Sequence, residues 1–188
     1  MNARHYKFGV ALIALLFLVG MSGCLLDTIK YTGGGTIPSA NKSCADDEKV
    51  NFGFVLNNCG DEVKGNLTYH DQYYEINLDK CDDFDQDKFG TQAQNLGVKL
   101  QGEFTGFAIG DYVLFTYESK NSFCRGFGDG KAFVVDGGEG ANAEDDDLFC
   151  IILYSGPFKN YTNCGRWWSG EVVQGNIQEH DCKPADCE

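Results

Sequence analysis

The chain has 188 residues, with 28 acidic and 15 basic side chains that give a net charge of −13. Binding to nucleic acids or to anionic lipid headgroups depends on lysine and arginine, so this balance opposes both. The length suffices for one domain with a substantial core.

Residues 1–23 have the pattern of a secretory leader. Two basic residues precede a largely apolar stretch from Phe8 to Val19, and small residues then lead to Cys24. The stretch is shorter than the roughly 20 residues that a membrane-spanning helix needs. Its last part, Met21-Ser22-Gly23-Cys24, resembles a bacterial lipobox, which implies cleavage before Cys24 and attachment of a lipid to its thiol. Ordinary secretion with cleavage inside this segment is the alternative.

The other eight cysteines form an even set that could pair completely in an oxidising compartment. They are Cys44, Cys59, Cys81, Cys124, Cys150, Cys164, Cys182 and Cys187. A zinc or iron–sulfur site is disfavoured, because the chain has no C-x-x-C pair and only two histidines beyond the leader. We therefore expect up to four disulfides, whose connectivity the spacing does not select.

Short strands and turns account for the rest of the chain. The alternation of Val50, Phe52, Phe54 and Leu56 is typical of a strand with one buried face. Comparable segments follow at residues 63–70, 73–78, 96–100, 103–109, 112–118, 131–135, 148–154 and 166–173. No stretch sustains apolar residues at helical spacing, and 24 glycines are available for turns. The pattern predicts an all-β fold, an antiparallel β-sandwich with a β-barrel as the alternative.

The boundaries that follow are a leader at 1–23, a lipid-anchored tether at 24–31, the β domain at 32–180 and a cysteine-containing tail at 181–188. The strand at 148–154 should form a hairpin with the segment from Cys164 to Val173. Cys150 and Cys164 are equidistant from Pro157 in the intervening turn, which makes them the preferred disulfide pair.

An acidic, glycine-rich segment near the middle of the second half offers hard oxygen ligands. Its acidic residues are Asp136, Glu139, Asp145, Asp146 and Asp147. Calcium takes six to eight such oxygens, so a structural calcium site is one interpretation. The spacing does not match an EF-hand, and a turn whose acids face solvent is the other interpretation.

Trp167 and Trp168 are adjacent in a predicted strand, so their rings should point to opposite faces. One exposed ring, beside Tyr154, Phe158 or Tyr161, could stack on a sugar or bind an apolar partner. Ordinary core packing and cover for a sheet edge are the alternative for these aromatic side chains.

His70 and Asp71 are the residues that could suggest acid–base chemistry. As neighbours in a strand they should project to opposite faces, and the nucleophile-elbow pattern G-x-S-x-G is absent from the chain. No catalytic residues are therefore expected.

Several short elements in a shared order resemble a known family. They are Thr32-Gly-Gly-Gly-x-Ile37, Asn51-Phe-Gly-Phe54, Gly65-Asn-Leu-Thr-Tyr69-x-Asp71, Phe104-x-Gly106, Asp136-Gly-Gly-Glu-Gly140 with Asp147-Leu-Phe149, and Gly175-Asn-Ile-Gln178. Together they resemble the bacterial post-choice-of-anchor modules, which are all-β and occur in secreted multidomain proteins. This chain differs in its eight cysteines and in an insertion around residues 112–125. The resemblance implies an extracytoplasmic β domain and supplies no catalytic residues.

These observations predict an envelope lipoprotein at the outer membrane or cell surface of a bacterium. The membrane partner would be engaged through the N-terminal lipid, and the β domain would act as a non-catalytic binding or adhesion module for an envelope protein or glycan. A structural envelope component and an extracytoplasmic hydrolase are the alternatives. No cofactor beyond the calcium is expected, and the oligomeric state is left open.

Overall fold

A computed structural model describes residues 29–40, 49–60, 62–74, 76, 81, 97–105, 112–138, 147–164, 172 and 174–183. These residues form nine strands: β1 (Ile29–Pro38), β2 (Lys49–Asn57), β3 (Lys64–Asp71), β4 (Val98–Phe104), β5 (Tyr112–Ser119), β6 (Phe127–Val135), β7 (Leu148–Leu153), β8 (Thr162–Asn163) and β9 (Gln174–Asp181). Over those ranges, no helix is long and apolar enough to cross a membrane.

The nine strands belong to one antiparallel sheet with the order β8-β7-β6-β5-β4-β3-β2-β1-β9. Strands β1 to β8 follow one another as a meander, and β9 returns to pair with β1. The sheet is curled into a half-barrel, so its two halves face each other much as two sheets do in a sandwich. The predicted all-β antiparallel fold is therefore confirmed.

Strict alternation within the strands decides which face is buried. In β4, for example, Val98, Leu100, Gly102 and Phe104 are buried, while Lys99, Gln101 and Glu103 are exposed. The ring of Phe149 on β7 stacks on that of Phe52 on β2, with 4.1 Å between centroids. Because β2 and β7 are five positions apart in the sheet, this contact requires the sheet to close over its own apolar face.

Glycines on the inner face make room for the large rings of this core. A Cβ atom at Gly33 would lie 2.8 Å from the ring of Phe54, and one at Gly130 would lie 2.5 Å from the ring of Phe115. Side chains at these positions would overlap the rings, so packing alone accounts for both glycines.

Among the described residues, three disulfides cross-link the sheet and its connections. Cys59–Cys182 joins the end of β2 to the end of β9, and Cys81–Cys124 joins the connection after β3 to the turn between β5 and β6. The third joins Cys150 and Cys164, the pair that the sequence favoured. Cys24, Cys44 and Cys187 lie outside the described residues.

Several predicted boundaries differ from the structure. β1 begins at Ile29, so the last three residues of the predicted tether belong to the sheet. β4 runs without a break through residues 101 and 102, where the predicted strands at 96–100 and 103–109 were separated, and residues 106–109 lie outside the described residues. Tyr73 and Tyr74 lie in a turn, although a strand was expected there. β9 was not among the expected strands, because only Ile177 in it is buried and its composition is polar.

The hairpin after β7 begins its second strand earlier than predicted. β7 pairs with the two residues of β8, Thr162 and Asn163, which precede the predicted partner strand. The segment 165–171, including Trp167 and Trp168, lies outside the described residues.

We expect the disulfide that closes the longest loop to contribute more to stability than the disulfide that closes the shortest loop. Removing a disulfide enlarges the entropy of the unfolded chain by an amount that grows with the closed loop. The sequence separations are 123 for Cys59–Cys182 and 14 for Cys150–Cys164. The C59S/C182S variant should therefore lose about 2 kcal/mol more than C150S/C164S in the free energy of unfolding. Urea titration of both variants measures this difference, and equal losses would contradict it.

Candidate functional site

A buried polar cluster lies inside the curled sheet, at the end where β3 stops. The carboxylate of Asp71 is fully buried and accepts hydrogen bonds from the hydroxyls of Ser39 (2.9 and 3.0 Å) and Tyr161 (2.8 Å). It also accepts hydrogen bonds from the backbone amides of Ala40 (3.3 Å) and Tyr73 (3.1 Å). Among the described residues no cation forms an ion pair with it. Donors rather than a counter-ion therefore satisfy this buried carboxylate, as burial of a charge requires.

The cluster continues from Asp71 through two tyrosines to an amide. The hydroxyls of Tyr69 and Tyr161 are 2.5 Å apart, and Asn163 donates to Tyr69 (2.9 Å) and to the carbonyl of Pro38 (3.0 Å). Burial, above all, raises the pKa values of Tyr69 and Tyr161 well above 10, and the Asp71 carboxylate adds to this effect. Both hydroxyls keep their protons at neutral pH. Through these hydrogen bonds the cluster connects β1, β3 and β8.

His70 does not join Asp71 in a catalytic pair. It lies on the outer face opposite Lys99 of β4, whereas Asp71 points inward. Partial burial, and then the charge of Lys99, lower the pKa of His70, while the Asp71 carboxylate opposes that shift. His180 lies 2.9 Å from the hydroxyl of Thr32, but this is an exposed contact between adjacent strands of the outer face.

Two of the acids proposed as calcium ligands are engaged by backbone amides. Asp147 accepts the amides of Gly137 (3.0 Å) and Ile177 (2.6 Å). Asp136 accepts the amides of Gly138 (2.7 Å) and Glu179 (2.7 Å). Each carboxylate therefore connects the β6–β7 hairpin to the outer edge of β9. The hydrogen bonds use backbone amides of β9 with which a further strand would otherwise pair.

The remaining three predicted calcium ligands, Glu139, Asp145 and Asp146, lie outside the described residues. Within the described ranges, no group of three or more His, Cys, Asp or Glu residues is arranged to hold a metal ion.

The predicted ligand-contact aromatics divide into buried and exposed residues. Phe158 and Tyr161 are 4% and 1% exposed, because the turn after β7 folds them into the core, so neither ring is presented at the surface. Tyr154 is 45% exposed, and Phe127, which the sequence did not single out, is 78% exposed. Trp167 and Trp168 lie outside the described residues.

The outer face of five adjacent strands forms a broad polar surface, which we call the polar face. Cross-strand partners share a face, so its members follow from the pairing of the strands. They are Gln174, Asn176, Gln178 and His180 of β9; Lys30, Thr32, Gly34, Thr36 and Pro38 of β1; Lys49, Asn51, Gly53, Val55 and Asn57 of β2; Lys64, Asn66, Thr68 and His70 of β3; and Lys99, Gln101 and Glu103 of β4. Amide, hydroxyl and ammonium groups dominate this surface.

In one row of the polar face, part of the surface is formed by the backbone of two glycines instead of by side chains. Across the five strands it reads Asn176, Gly34, Gly53, Thr68 and Gln101, each directly paired with the next. Two adjacent glycines at its centre leave a shallow depression, which we call the glycine trough. The trough crosses four inter-strand spacings, or about 19 Å.

Packing does not account for Gly53 of the trough in the way it accounts for the glycines of the inner face. A Cβ atom at Gly53 would lie 3.4 Å from the hydroxyl of Thr68, an ordinary contact distance. One at Gly34 would lie 3.3 Å from the carbonyl oxygen of Phe52, which is closer than most Cβ contacts, so the backbone there would have to shift by a few tenths of an ångström. Glycine in a strand costs roughly 0.5–1 kcal/mol relative to alanine, and it often marks a place where a ligand approaches the backbone. The trough is therefore the strongest candidate binding site among the described residues.

The sequence contains an indication of this site, namely glycine at an outward strand position, which did not enter the predictions above. Gly53 occupies an outward position of β2, whose inward positions are large and apolar, whereas Gly34 is the middle residue of a run of three glycines in β1. Strand pairing was needed to place the two glycines side by side.

Comparison of the chain with protein-family models, with curated proteins and with solved structures finds no match. The assignment of a site therefore depends on the geometry described above.

We expect Y161F to destabilise the protein by about 1.5–3 kcal/mol at neutral pH, because it removes a donor to a buried carboxylate. The parent protein should also lose stability as the pH rises above 10. The folded state then retains the protons of Tyr69 and Tyr161 while the unfolded state releases its own. That decline should be shallower in Y161F, by about 1.4 kcal/mol per pH unit. Denaturant titrations across this pH range measure both effects.

Y154F is the matched control, because it removes the hydroxyl of a tyrosine that is 45% exposed. It should leave neutral-pH stability nearly unchanged. A loss in Y154F equal to that in Y161F would argue against the buried cluster as the cause.

We expect D147A to release the edge of β9. The amide of Ile177 loses its acceptor, so its hydrogen exchange should accelerate, and the stability should fall by about 1–2 kcal/mol. The E103A variant, which removes an exposed carboxylate from β4, should do neither. A chelator should leave the midpoint of thermal unfolding of the parent protein unchanged, since the carboxylates act by binding amides. A lowered midpoint would instead indicate bound calcium.

Proposed function

We propose that this protein is a lipid-anchored, non-catalytic binding module of a bacterial envelope and that the glycine trough is its glycan-binding surface. The observation that carries the proposal is the pair of adjacent outward glycines, Gly34 and Gly53, of which Gly53 has room for a larger side chain. They lie in the centre of a face on which most side chains bear amide, hydroxyl or ammonium groups.

The chemistry of the polar face suits a chain of sugars. Sugar hydroxyls both donate and accept hydrogen bonds, and so do the side chains of Asn and Gln and of Thr. Asn51, Asn66 and Gln101, all exposed, lie in or beside the trough. An extended polymer lying across the strands would contact several such groups at once, and the glycines would let it approach the backbone.

The anchor is inferred from the lipobox-like segment that ends at Cys24. β1 begins at Ile29, so a lipid on Cys24 would hold the sheet within about 17 Å of the attachment point. The three disulfides are compatible with an oxidising compartment outside the cytoplasm. The resemblance to post-choice-of-anchor modules agrees with an extracytoplasmic β domain. The outer membrane or cell surface is the location that we propose.

A protein partner is the second candidate, and a different surface favours it. Phe127 and Tyr154 are both exposed on the outer face of the β6–β7 half, where Tyr154 donates its amide to the carbonyl of Asp129. Exposed aromatic side chains are common at protein interfaces. A pulldown from intact envelopes with the F127S/Y154S variant tests this candidate separately from the trough.

We expect G53T to abolish or strongly weaken glycan binding while leaving the fold intact. Threonine favours strands and its Cβ meets no close contact, so the stability should stay equal or rise by roughly 0.5–1 kcal/mol. Binding to an array of bacterial envelope polysaccharides, together with a urea titration, measures the two effects.

T116S provides the control, since Thr116 is an exposed residue of β5 and lies outside the polar face. It should bind like the parent protein. If G53T binds the same polysaccharides as strongly as T116S, the trough is not the binding surface.

A further inference from the structure

The polar face is basic, although the protein as a whole is strongly acidic. Its members include four lysines, Lys30, Lys49, Lys64 and Lys99, and one acid, Glu103. The whole chain has 28 acidic and 15 basic side chains. Positive charge is thus concentrated on the surface that contains the trough, and this segregation is what a face that attracts anions requires.

Three of the lysines are placed alike relative to the trough. Lys30, Lys49 and Lys64 each lie four residues along their own strand from the trough residue of that strand, Gly34, Gly53 and Thr68 respectively. At the rise of a strand this is about 13 Å. Lys99 is closer, in the row next to the trough, where it faces His70. Glu103 lies equally close on the other side, two residues from Gln101. The trough is therefore an uncharged row flanked by four lysines and one carboxylate.

Building on the proposed function, we infer that the ligand of the trough is an acidic polysaccharide that carries carboxylates along a hydroxyl-rich chain. The amide, hydroxyl and backbone groups of the centre match the sugar hydroxyls, and the flanking ammonium groups match widely spaced carboxylates.

Nucleic acid fits the same surface less well. Its phosphates are closely spaced and call for a denser array of cations, and single strands also need aromatic side chains on which the bases stack. The outward positions of β9, β1, β2, β3 and β4 contain no Phe, Tyr or Trp.

The test compares two double variants of the full-length protein in detergent. K49Q/K64Q removes two lysines that flank the trough. K120Q/K159Q removes two exposed lysines elsewhere, in the turns after β5 and β7. Each variant lowers the net charge by the same amount. The probes are polygalacturonate, which carries carboxylates, dextran, which is neutral, and single-stranded DNA.

The parent protein should bind polygalacturonate and not dextran or DNA. K49Q/K64Q should bind it about fivefold to tenfold more weakly, and K120Q/K159Q within about twofold of the parent. In about 1 M NaCl, where charges are screened within about 3 Å, the binding should be largely lost.

The other outcomes separate this inference from the proposed function. Dextran binding that G53T abolishes and that salt and K49Q/K64Q leave unchanged would overturn the acidic ligand but keep the trough. Equal losses in both lysine variants would show a dependence on net charge alone and would overturn the inference as well. Preference for DNA would overturn both the ligand class and the glycan-binding function. If the parent protein binds neither these polysaccharides nor any polysaccharide on the envelope array, the proposed function itself is overturned.

Discussion

The stacking of Phe149 on Phe52 joins strands that are five positions apart in the same sheet. This contact requires the sheet to curl, and once the sheet is curled its inner face is filled by aromatic rings. Phe54, Tyr69 and other rings continue the cluster from Phe149, with centroid separations of about 6 Å. Inner glycines are then needed to accommodate them. The outer face takes no part in this packing, and it is free to carry residues chosen for contacts with other molecules.

Polar groups inside the curl are satisfied locally rather than by paired charges. Asp71 is surrounded by hydroxyl and amide donors, and Tyr69, Tyr161 and Asn163 extend its network across strands that are distant in the chain. At the free edge of the sheet, Asp136 and Asp147 bind the amides of β9 in a similar way. In both places, carboxylates that the sequence suggested for catalysis or metal binding accept hydrogen bonds that connect parts of the fold.

Much of the fold was predictable because burial of one face imposes a period of two on a strand. β2, β3 and β5 follow that pattern, and the predicted ranges overlap the observed ones closely. β9 was missed because its stability comes from pairing with β1, from Asp136 and Asp147 and from the disulfide at Cys182, none of which leaves an apolar pattern in its own residues. Phe158 and Tyr161 were taken for surface candidates because a turn segment gives no sign that it folds back into the core.

The sequence by itself determined the secondary structure class, the inward and outward positions of most strands and the charge balance, since these follow from local pattern and composition. It favoured the Cys150–Cys164 pair without selecting it. The tertiary structure alone decided which outward residues are neighbours. Gly34 and Gly53 are nineteen residues apart in the chain and adjacent in the sheet, and the lysines beside them come from four different strands. Register sets such neighbours, and it depends on the pairing of whole strands, which no single segment encodes.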